Sequence, residues 1–443
     1  MRVAVVGGGM SGLAAAHALA ARGDDVVLLD DGAAPGGLVA SVRRDGFLCE
    51  RGPQALLDGP AATRALVEGA GLADRVVRAT AASRRRFVFV GGALRPFPAS
   101  PPALIATSLL GPLAKLRLLA EPFIRRGTRE DESVLEFVAR RFGRQAAERA
   151  AGPALIGVYA GDAAALDVRV ALPRLHALER EHGSVLRGLF RGRRGGERLG
   201  SPITFPDGLG ELPRALAARL GARRLEARAT ALAPAPQGWR VSTDRAGTVE
   251  AARVVLATPA DASAALLAPH APDAAAALRA IPHAPVAVVS LGFRAGSNSA
   301  GLGVDLDAYG FVVARGEGVR TLGCQYETSV FPGRAPTGGV LLRALLGGTF
   351  DPALVDADDG ALAAQAVADL RRVAGLARDP DFVDVWRARP GIPQYDLGQA
   401  ARIRAVDDAV GKLPGLAVIG HALRGVGVGD AIRAGTAIAA VES

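Results

Sequence analysis

Residues 2–30 read RVAVVGGGMSGLAAAHALAARGDDVVLLD, and this stretch decides the fold. The apolar run Arg2–Val6 predicts a short strand. The alanine-rich run Leu13–Ala21 predicts a helix that ends at Gly23. The second apolar run, Asp25–Leu29, is typical of a parallel strand buried on both faces. Together these runs predict a β-α-β unit at the start of the chain.

The turn between the first strand and the helix has the glycine spacing Gly7-x-Gly9-x-x-Gly12. Gly7 permits a tight turn, Gly9 allows the backbone to approach a pyrophosphate, and Gly12 allows helix and strand to pack closely. The free N–H groups of the helix N-terminus suit phosphates. Asp30 ends the second strand where a carboxylate would bind ribose hydroxyls, and Asp31 is the alternative. The pattern predicts dinucleotide binding.

Two further glycine segments favour FAD over a nicotinamide cofactor. Gly36 and Gly37 follow the second strand and provide a second place where backbone can lie against a cofactor. Residues 420–430 read GHALRGVGVGD, between the apolar run 416–420 and a short helix that we expect from Asp430. A helix N-terminus suits the negative charge that a reduced flavin carries near N1.

The composition excludes several classes of protein. With 443 residues, 49% of them hydrophobic and 22% charged, the chain is neither disordered nor fibrous, and its length predicts two or three domains. Cys49 and Cys324 are its only cysteines, which excludes a disulfide framework and a cysteine-based zinc site. The six histidines are scattered, so we predict no metal site.

The net charge of +9 favours an anionic partner. Nucleic acid is not expected, because the arginines form no long basic run and the aromatic content is only 5%. The N-terminal apolar run is too short for a signal peptide and leads directly into glycines. We therefore expect a cytoplasmic protein.

The remaining anionic partners are an acidic small molecule and a membrane surface, and one segment indicates a membrane surface. Residues 96–114 carry no charge, but they contain five prolines and cannot form one continuous helix across a bilayer. Lys115 and Arg117 follow at once. We expect residues 98–126 to lie in the inner face of the cell membrane, with Leu109, Leu110 and Leu113 in contact with lipid. The alternative is an ordinary buried helix-and-loop segment.

Several blocks resemble the protoporphyrinogen oxidase family of the flavin-containing amine-oxidase-like superfamily, and the resemblance covers nearly the whole chain. The most specific blocks are GVYAGD at residues 157–162 and FPGRAP at 331–336. They are accompanied by ERGP at 50–53, RFVFVGG at 86–92 and IPQY at 392–395. The resemblance implies oxidation of a porphyrinogen to a porphyrin with FAD and dioxygen, and release of hydrogen peroxide. Flavin N5 would accept the hydride, so no catalytic side chain is predicted.

The resemblance also implies an α/β fold with three parts. These are a split Rossmann-like FAD-binding domain, a mixed-sheet substrate domain and an inserted helical membrane-docking domain. The expected FAD-binding domain comprises residues 1–84, 200–262 and 402–443. The helical domain comprises 98–190, and the substrate-binding domain comprises 85–97, 191–199 and 263–401. A homodimer is left open.

The family's functional residues match individual positions of this sequence. Arg86 matches an arginine that pairs with a substrate propionate, and Gly157 matches a glycine whose carbonyl faces the pyrrole nitrogens. The residues that would sandwich the macrocycle are Tyr309, Gly310, Val312, Gln325 and Leu345. The expected FAD contacts, with Ala229 on the adenine side, are Gly7, Gly9, Gly12, Asp30, Asp31, Gly36, Gly37, Leu38, Ala229, Gly420, Gly425, Val426, Gly427 and Val428.

The sequence departs from the family pattern near the predicted flavin. His421 stands where family members usually have Asn, Gly398-Gln399 replaces Gly-His, and Ala388 replaces a Trp. Coproporphyrinogen III is an alternative substrate to protoporphyrinogen IX. Another amine oxidase or desaturase of the superfamily is less favoured, because Leu38 stands where amine oxidases usually have Arg. A non-enzymatic flavoprotein that carries a tetrapyrrole is a third hypothesis.

Overall fold

The computed structural model describes residues 1–32, 34–98, 103, 107–129, 131–191, 200–296 and 299–440. Parts of each predicted domain lie outside these ranges. They are residues 33 and 441–443 of the expected FAD domain, residues 99–102, 104–106 and 130 of the expected helical domain, and residues 192–199 and 297–298 of the expected substrate domain.

The strands, in chain order, are β1 (Arg2–Val6), β2 (Asp25–Asp30), β3 (Ser41–Arg44), β4 (Phe47–Glu50), β5 (Leu56–Leu57), β6 (Val77–Arg78), β7 (Arg86–Val90), β8 (Ala93–Pro96), β9 (Pro202–Thr204), β10 (Arg224–Glu226), β11 (Ala229–Ala235), β12 (Gly238–Thr243), β13 (Thr248–Ala251), β14 (Arg253–Leu256), β15 (His283–Phe293), β16 (Gly310–Val313), β17 (Thr321–Tyr326), β18 (Val340–Gly347), β19 (Phe382–Pro393) and β20 (Leu416–Val418).

The α-helices are α1 (Met10–Arg22), α2 (Ala61–Gly69), α3 (Pro112–Leu119), α4 (Val134–Phe142), α5 (Arg144–Ala146), α6 (Gly152–Tyr159), α7 (Val168–Ala171), α8 (Pro173–His182), α9 (Val185–Arg191), α10 (Glu211–Leu220), α11 (Ala260–Leu267), α12 (Pro272–Arg279), α13 (Ser299–Leu302), α14 (Glu327–Val330), α15 (Asp359–Ala374), α16 (Gln399–Val410) and α17 (Val428–Ala437). A π-helical turn, Ala147–Ala151, joins α5 to α6, and short 3-10 turns lie at Ala73–Arg75, Ala81–Arg84, Glu121–Phe123, Gly221–Arg223 and Pro352–Asp356.

A parallel five-stranded sheet with the order β10-β2-β1-β14-β20 forms the nucleotide-binding body. Alternate residues of β1 point to opposite faces. Val3 and Val5 join a core with α1, α10 and α17, while Ala4 and Val6 join a second core with α11, α12, α16 and the β11-β12-β13 meander. The predicted β-α-β unit is confirmed. The sheet is also split, because its strands come from three distant parts of the chain.

Two of the predicted domain boundaries fall inside helices. The boundary at residue 262 lies within α11, and both α11 and α12 pack on the parallel sheet through Ala264 and Leu278. The boundary at residue 402 lies within α16, which packs on the same sheet through Val406. Periodic apolar residues in a short helix do not reveal which sheet the helix covers. We therefore place the body's limits near residues 281 and 399.

A mixed seven-stranded sheet with the order β19-β15-β18-β17-β16-β7-β8 forms the second body. β7 and β16 run parallel, whereas the other neighbours are antiparallel. Its strands come from two of the three segments predicted for the substrate domain, 85–97 and 263–401. The long helix α15 covers one face through Leu362, Ala366 and Leu370.

The described residues between β8 and β9 in the chain are mainly helical. The helix α4 begins at Val134. Ser133 caps it with a capping box, in which the Ser133 hydroxyl accepts from Glu136 N–H at 3.2 Å and Glu136 accepts from Ser133 N–H at 2.9 Å. The helix α3 spans Pro112–Leu119. Within the part of the chain that the structure describes, no helix has the length and apolar character needed to cross a membrane.

A fully buried ion pair connects the turn Glu121–Phe123 to α4 in this helical segment. Arg141 contacts the Glu121 carboxylate, and both side chains are 0% exposed. Glu121 also accepts hydrogen bonds from the Ser184 hydroxyl and from the N–H groups of Val185 (2.9 Å) and Leu186 (3.2 Å). Glu121 therefore caps the N-terminus of α9 while it neutralises Arg141.

Candidate active site

The first glycine turn has the geometry that its spacing predicts. Gly7 has φ +109°, and its N–H donates to Leu29 O at 2.7 Å. A Cβ at Gly12 would lie 1.9 Å from Gly7 O, so α1 can approach β1 only if residue 12 is glycine. Gly7 and Gly12 are thus required by the packing of the turn itself.

Gly9 and the second glycine segment border one open edge. A Cβ at Gly9 would have no atom within 4 Å, although this residue is the N-cap of α1. Gly36 N–H donates to Gly8 O at 2.8 Å, and a Cβ at Gly37 would lie 3.4 Å from Gly9 Cα. The structure therefore brings the two predicted glycine segments together at the N-terminus of α1, which suits an anion.

The acidic residue at the end of β2 lies at the same edge. Asp30 is 7% exposed, and a Cβ at Gly8 would lie 2.2 Å from its carboxyl carbon. Arg224 Nη2 donates to Asp30 at 3.1 Å. Asp31, by contrast, is exposed. The structure favours Asp30 as the carboxylate beside the glycine turn, and Ala229 begins β11 shortly after Arg224.

The glycine-rich stretch 420–430 leads into a second helix of the same body. The helix α17 begins at Val428, two residues before the expected Asp430, because Gly427 is its N-cap. Gly420 and Gly429 both face open space at their Cβ positions, and Gly425 has φ +76°. A Cβ at Gly435 would lie 2.3 Å from Ser11 O, so α17 packs closely on α1.

These features fit an anionic dinucleotide cofactor. Two helices of one body begin at glycines, open space lies beside Gly9, Gly420 and Gly429, and an acid ends β2. The individual contacts assigned from sequence, including Leu38, Val426 and Val428, remain predictions. No group of three or more His, Cys, Asp or Glu side chains in the described ranges could hold a metal ion.

A cavity of about 330 Å³ lies between α6 and the mixed sheet. Its walls are mainly apolar and contain all of the residues assigned to the macrocycle. The lining residues are Arg86, Phe87, Phe97, Ala154, Ile156, Gly157, Val158, Tyr309, Gly310, Phe311, Val312, Leu322, Gly323, Cys324, Gln325 and Leu345. The geometry brings the predicted residues together, and their contacts with substrate remain a prediction.

Glycines bring the walls of this cavity close together. A Cβ at Gly157 would lie 3.2 Å from Val312 Cγ1, so α6 approaches β16 closely at this point. Gly310 has φ +129°, and a Cβ there would lie 2.0 Å from Cys324 O. Gly310 therefore cannot carry a side chain in this backbone, whereas a side chain at Gly157 would require Val312 to move by a few tenths of an ångström.

Only one residue of the run Arg84-Arg85-Arg86 reaches the cavity. Arg85 forms ion pairs with Asp305 at 3.3 Å and with Asp307. Arg86 lines the cavity, and its guanidinium carbon lies 4.6 Å from the centre of the Tyr309 ring. Among the described residues no carboxylate lies within ion-pair distance of Arg86, which leaves its charge available to an anion.

Sequence reasoning missed much of the cavity wall. Val158 lies beside Gly157 in the block 157–162, and Ile156 directly precedes that block, so the block and its neighbour were a usable signal. Phe97 and Leu322 carried no comparable signal, because they lie in a loop and on a strand whose pairing the sequence does not reveal.

The departures from the family pattern lie in buried surroundings. Burial, with a smaller contribution from His283, lowers the pKa of His421 to about 4. The Tyr395 hydroxyl donates to His421 O, and Gln399 Nε2 donates to Ala422 O at 2.9 Å. His421 is therefore neutral near pH 7, and buried side chains hold the backbone of its loop.

The predicted membrane segment is only partly exposed. Leu109 (0% exposed) and Leu110 (3%) are buried, so the expectation that they contact lipid is wrong. Leu109 packs with Val88 and Ala314, and Leu110 belongs to the core of the helical segment. Exposed apolar side chains do lie just beyond them, at Leu113 (82%), Leu116 (63%), Leu119 (51%) and Phe123 (82%).

The chain matches a known protein family over most of its length. Residues 10–441 match the family described as flavin containing amine oxidoreductase. A chloroplastic protoporphyrinogen oxidase of Oryza sativa is 32% identical over 97% of this chain and 85% of its own length. The coproporphyrinogen III oxidase of Bacillus subtilis is 28% identical over 98% of this chain and 96% of its own length.

A solved structure has the same overall fold. An Exiguobacterium protein, provisionally assigned as a protoporphyrinogen oxidase, superposes with a TM-score of 0.81 at 27% identity. The match covers 99% of this chain and 98% of that one. The mixed α/β architecture is therefore shared along the whole chain.

Proposed function

Because this chain belongs to the family of flavin-containing amine oxidoreductases and is an FAD-dependent oxidoreductase, we propose that it oxidises protoporphyrinogen IX to protoporphyrin IX. Dioxygen is the acceptor and hydrogen peroxide the second product. The observation that carries the proposal is the cavity, which combines apolar walls with an unpaired Arg86. Such a cavity suits a flat apolar macrocycle with carboxylates at one edge.

The side chains of this protein position the substrate. Bound FAD supplies the hydride acceptor. Apolar walls bury the macrocycle without fixing its rotation, because the hydrophobic effect has no direction. An arginine that pairs with a propionate fixes the rotation, since its planar fork can bind both carboxylate oxygens. One methylene bridge can then be held at the distance that hydride transfer requires.

Coproporphyrinogen III is the second candidate substrate, because a relative that matches nearly the whole chain is named for it. This substrate carries propionates where protoporphyrinogen carries vinyl groups. Arg86 is the one cation that lines the cavity among the residues that the structure describes, and this favours the less polar substrate. Porphyrin fluorescence after addition of each porphyrinogen to the purified flavoprotein measures which substrate is preferred. A higher kcat/KM for coproporphyrinogen III would make it the preferred substrate.

We expect Arg86→Ala to lower kcat/KM on the order of 10–100-fold, because a charge-assisted hydrogen bond is worth roughly 1.5–3 kcal/mol. The flavin content should stay normal, since Arg86 lies on β7, outside the glycine segments. Arg86→Lys should restore only part of the activity, because an ammonium group lacks the planar fork. Steady-state kinetics with protoporphyrinogen IX measures all three effects.

Arg84→Ala and Arg85→Ala are matched controls from the same run. Arg85 is already paired with Asp307, and neither side chain lines the cavity. Both variants should therefore keep near wild-type kinetics. A large loss in either one, with Arg86→Ala normal, would contradict the assignment of Arg86.

We further propose that the exposed apolar side chains Leu113, Leu116 and Phe123 contact the inner face of the cell membrane. Lys115, Arg125 and Arg126 are close in sequence and can meet anionic head groups. The protein is cytoplasmic in this proposal and associates with the membrane from one side.

Replacing Leu113, Leu116 and Phe123 together by Ser should lower partition into anionic liposomes, because exposed apolar area drives interfacial binding. Sedimentation with vesicles measures the bound fraction. The control pair Leu57→Ser and Leu397→Ser, at exposed leucines elsewhere, should leave it unchanged. Equal partition of the triple variant and the wild type would reject the proposed surface.

A further inference from the structure

Five polar side chains form a closed ring of contacts behind the cavity wall: Gln54, Tyr309, Gln325, Glu327 and Arg343. The Gln54 amide satisfies its neighbours when its oxygen accepts from the Tyr309 hydroxyl at 2.6 Å and its nitrogen lies 2.8 Å from both Glu327 oxygens. This orientation gives every polar atom of the amide a partner. One half of the ring therefore runs from Tyr309 to a buried carboxylate.

The other half returns to the same hydroxyl. Arg343 Nη1 lies 3.7 Å from Glu327 Oε1 and donates to Gln325 Oε1 at 2.6 Å. Gln325 Nε2 then donates to the Tyr309 oxygen at 3.3 Å. The side chains of Glu327 and Arg343 are 1% and 5% exposed. The Tyr309 hydroxyl thus accepts one hydrogen bond and donates another, so both are fixed in direction.

The ring also contacts the segment assigned to the cofactor. Arg343 Nη2 donates to Gly52 O, and Gln54 follows two residues later. A Cβ at Gly52 would lie 1.8 Å from Leu38 O, so this segment packs directly on a predicted FAD contact. The ring therefore connects the cofactor side of the molecule to the face of Tyr309 on which Arg86 lies.

We propose that this ring is a positioning device that sets the place of Arg86 relative to the cofactor. The five polar side chains hold Tyr309 in one orientation. The aromatic face of Tyr309 then holds the Arg86 guanidinium by a cation–π contact. None of Gln54, Glu327 and Arg343 lines the cavity, so they act through Tyr309. The inference rests on the proposed function, in which Arg86 pairs with a substrate carboxylate.

Physical chemistry supports an ordered ring. A buried amide or carboxylate that loses its partner is costly, so the members hold one another in place. Burial raises the pKa of Tyr309, which keeps the hydroxyl protonated and able to donate. Loss of the hydroxyl keeps the aromatic face of Tyr309 but removes the two hydrogen bonds that fix the orientation of the side chain.

The test is Tyr309→Phe, which keeps the aromatic face and removes the hydroxyl. We expect its Kd for protoporphyrin IX, measured by fluorescence titration without turnover, to weaken roughly 3–10-fold. Its Kd for the dimethyl ester of the same porphyrin should not change, because the ester lacks the carboxylate that Arg86 binds. Tyr326→Phe is the control, since Tyr326 is buried in the neighbouring strand and does not line the cavity.

A double-variant cycle shows whether the hydroxyl acts through Arg86. In the Arg86→Ala background, Tyr309→Phe should cause no further change in Kd for the free acid. A full additional loss there, or equal weakening for acid and ester, would overturn the inference. If Tyr309→Phe does not fold, Gln325→Met removes the other hydrogen bond of the hydroxyl and supports the same comparison. A wild-type protein that binds neither porphyrin would instead refute the proposed function.

Discussion

Gly9→Val should give a folded protein that purifies without flavin. The valine can adopt the backbone of Gly9, which has φ −69° and ψ 174°, and its Cβ meets no protein atom within 4 Å. The side chain instead fills the open edge at the N-terminus of α1, where the pyrophosphate of FAD is expected. The visible absorption of bound flavin measures the cofactor content, and circular dichroism measures the fold.

Two comparison variants sharpen this result. Ala21→Val places the same side chain at an exposed position near the end of α1 and should leave the protein yellow. Gly12→Val should impair folding itself, because its Cβ would lie 1.9 Å from Gly7 O. A Gly9→Val protein with a normal flavin spectrum would refute the placement of the cofactor.

Glu121→Ala should destabilise the helical segment by about 3–5 kcal/mol, the usual cost of removing one partner from a buried ion pair. The variant leaves Arg141 fully buried with the backbone carbonyls Ile124 O at 2.9 Å and Gly183 O at 3.0 Å. Its remaining charged partner is Glu179 at 3.3 Å, a carboxylate that also pairs with Arg140. The N-terminus of α9 also loses its cap. Urea denaturation followed by far-UV circular dichroism measures the loss.

The control is Glu148→Ala, which removes an exposed pair with Arg144 one helical turn away. Exposed pairs of this kind contribute about 0.3–0.5 kcal/mol, so the transition should hardly move. Equal stability of the two variants would mean that the helical segment does not depend on Glu121.

The nucleotide-binding body was predictable because its signals are local. The run from Arg2 to Asp30 contains both strands, the helix and the glycine turn, and each residue type matches its local backbone. The stretch 420–430 was recognisable for the same reason, although α17 begins at Val428. Such signals depend on neighbours in sequence and not on the rest of the fold.

Features that depend on distant contacts were not predictable from residues alone. The polar ring joins Gln54 to Arg343, and sequence spacing gives no sign that these residues meet. Leu109 and Leu110 were assigned to a lipid surface because an apolar residue looks the same whether protein or lipid covers it. Likewise, the choice of Arg86 from three consecutive arginines came from resemblance, and the carboxylates that pair with Arg85 became visible only in three dimensions.

The split parallel sheet has a consequence for biosynthesis. β1 pairs with β14, and β14 pairs with β20, so residues 2–6 and 416–418 belong to one sheet. A ribosome that adds ~5–20 residues per second needs roughly 20–80 s to pass from one to the other. The nascent chain lacks α17 throughout that interval, and from the synthesis of β14 until β20 follows, β14 has an unpaired edge. Because residues 420–430 are predicted to contact the cofactor, we expect cofactor loading to follow the synthesis of residues 416–437.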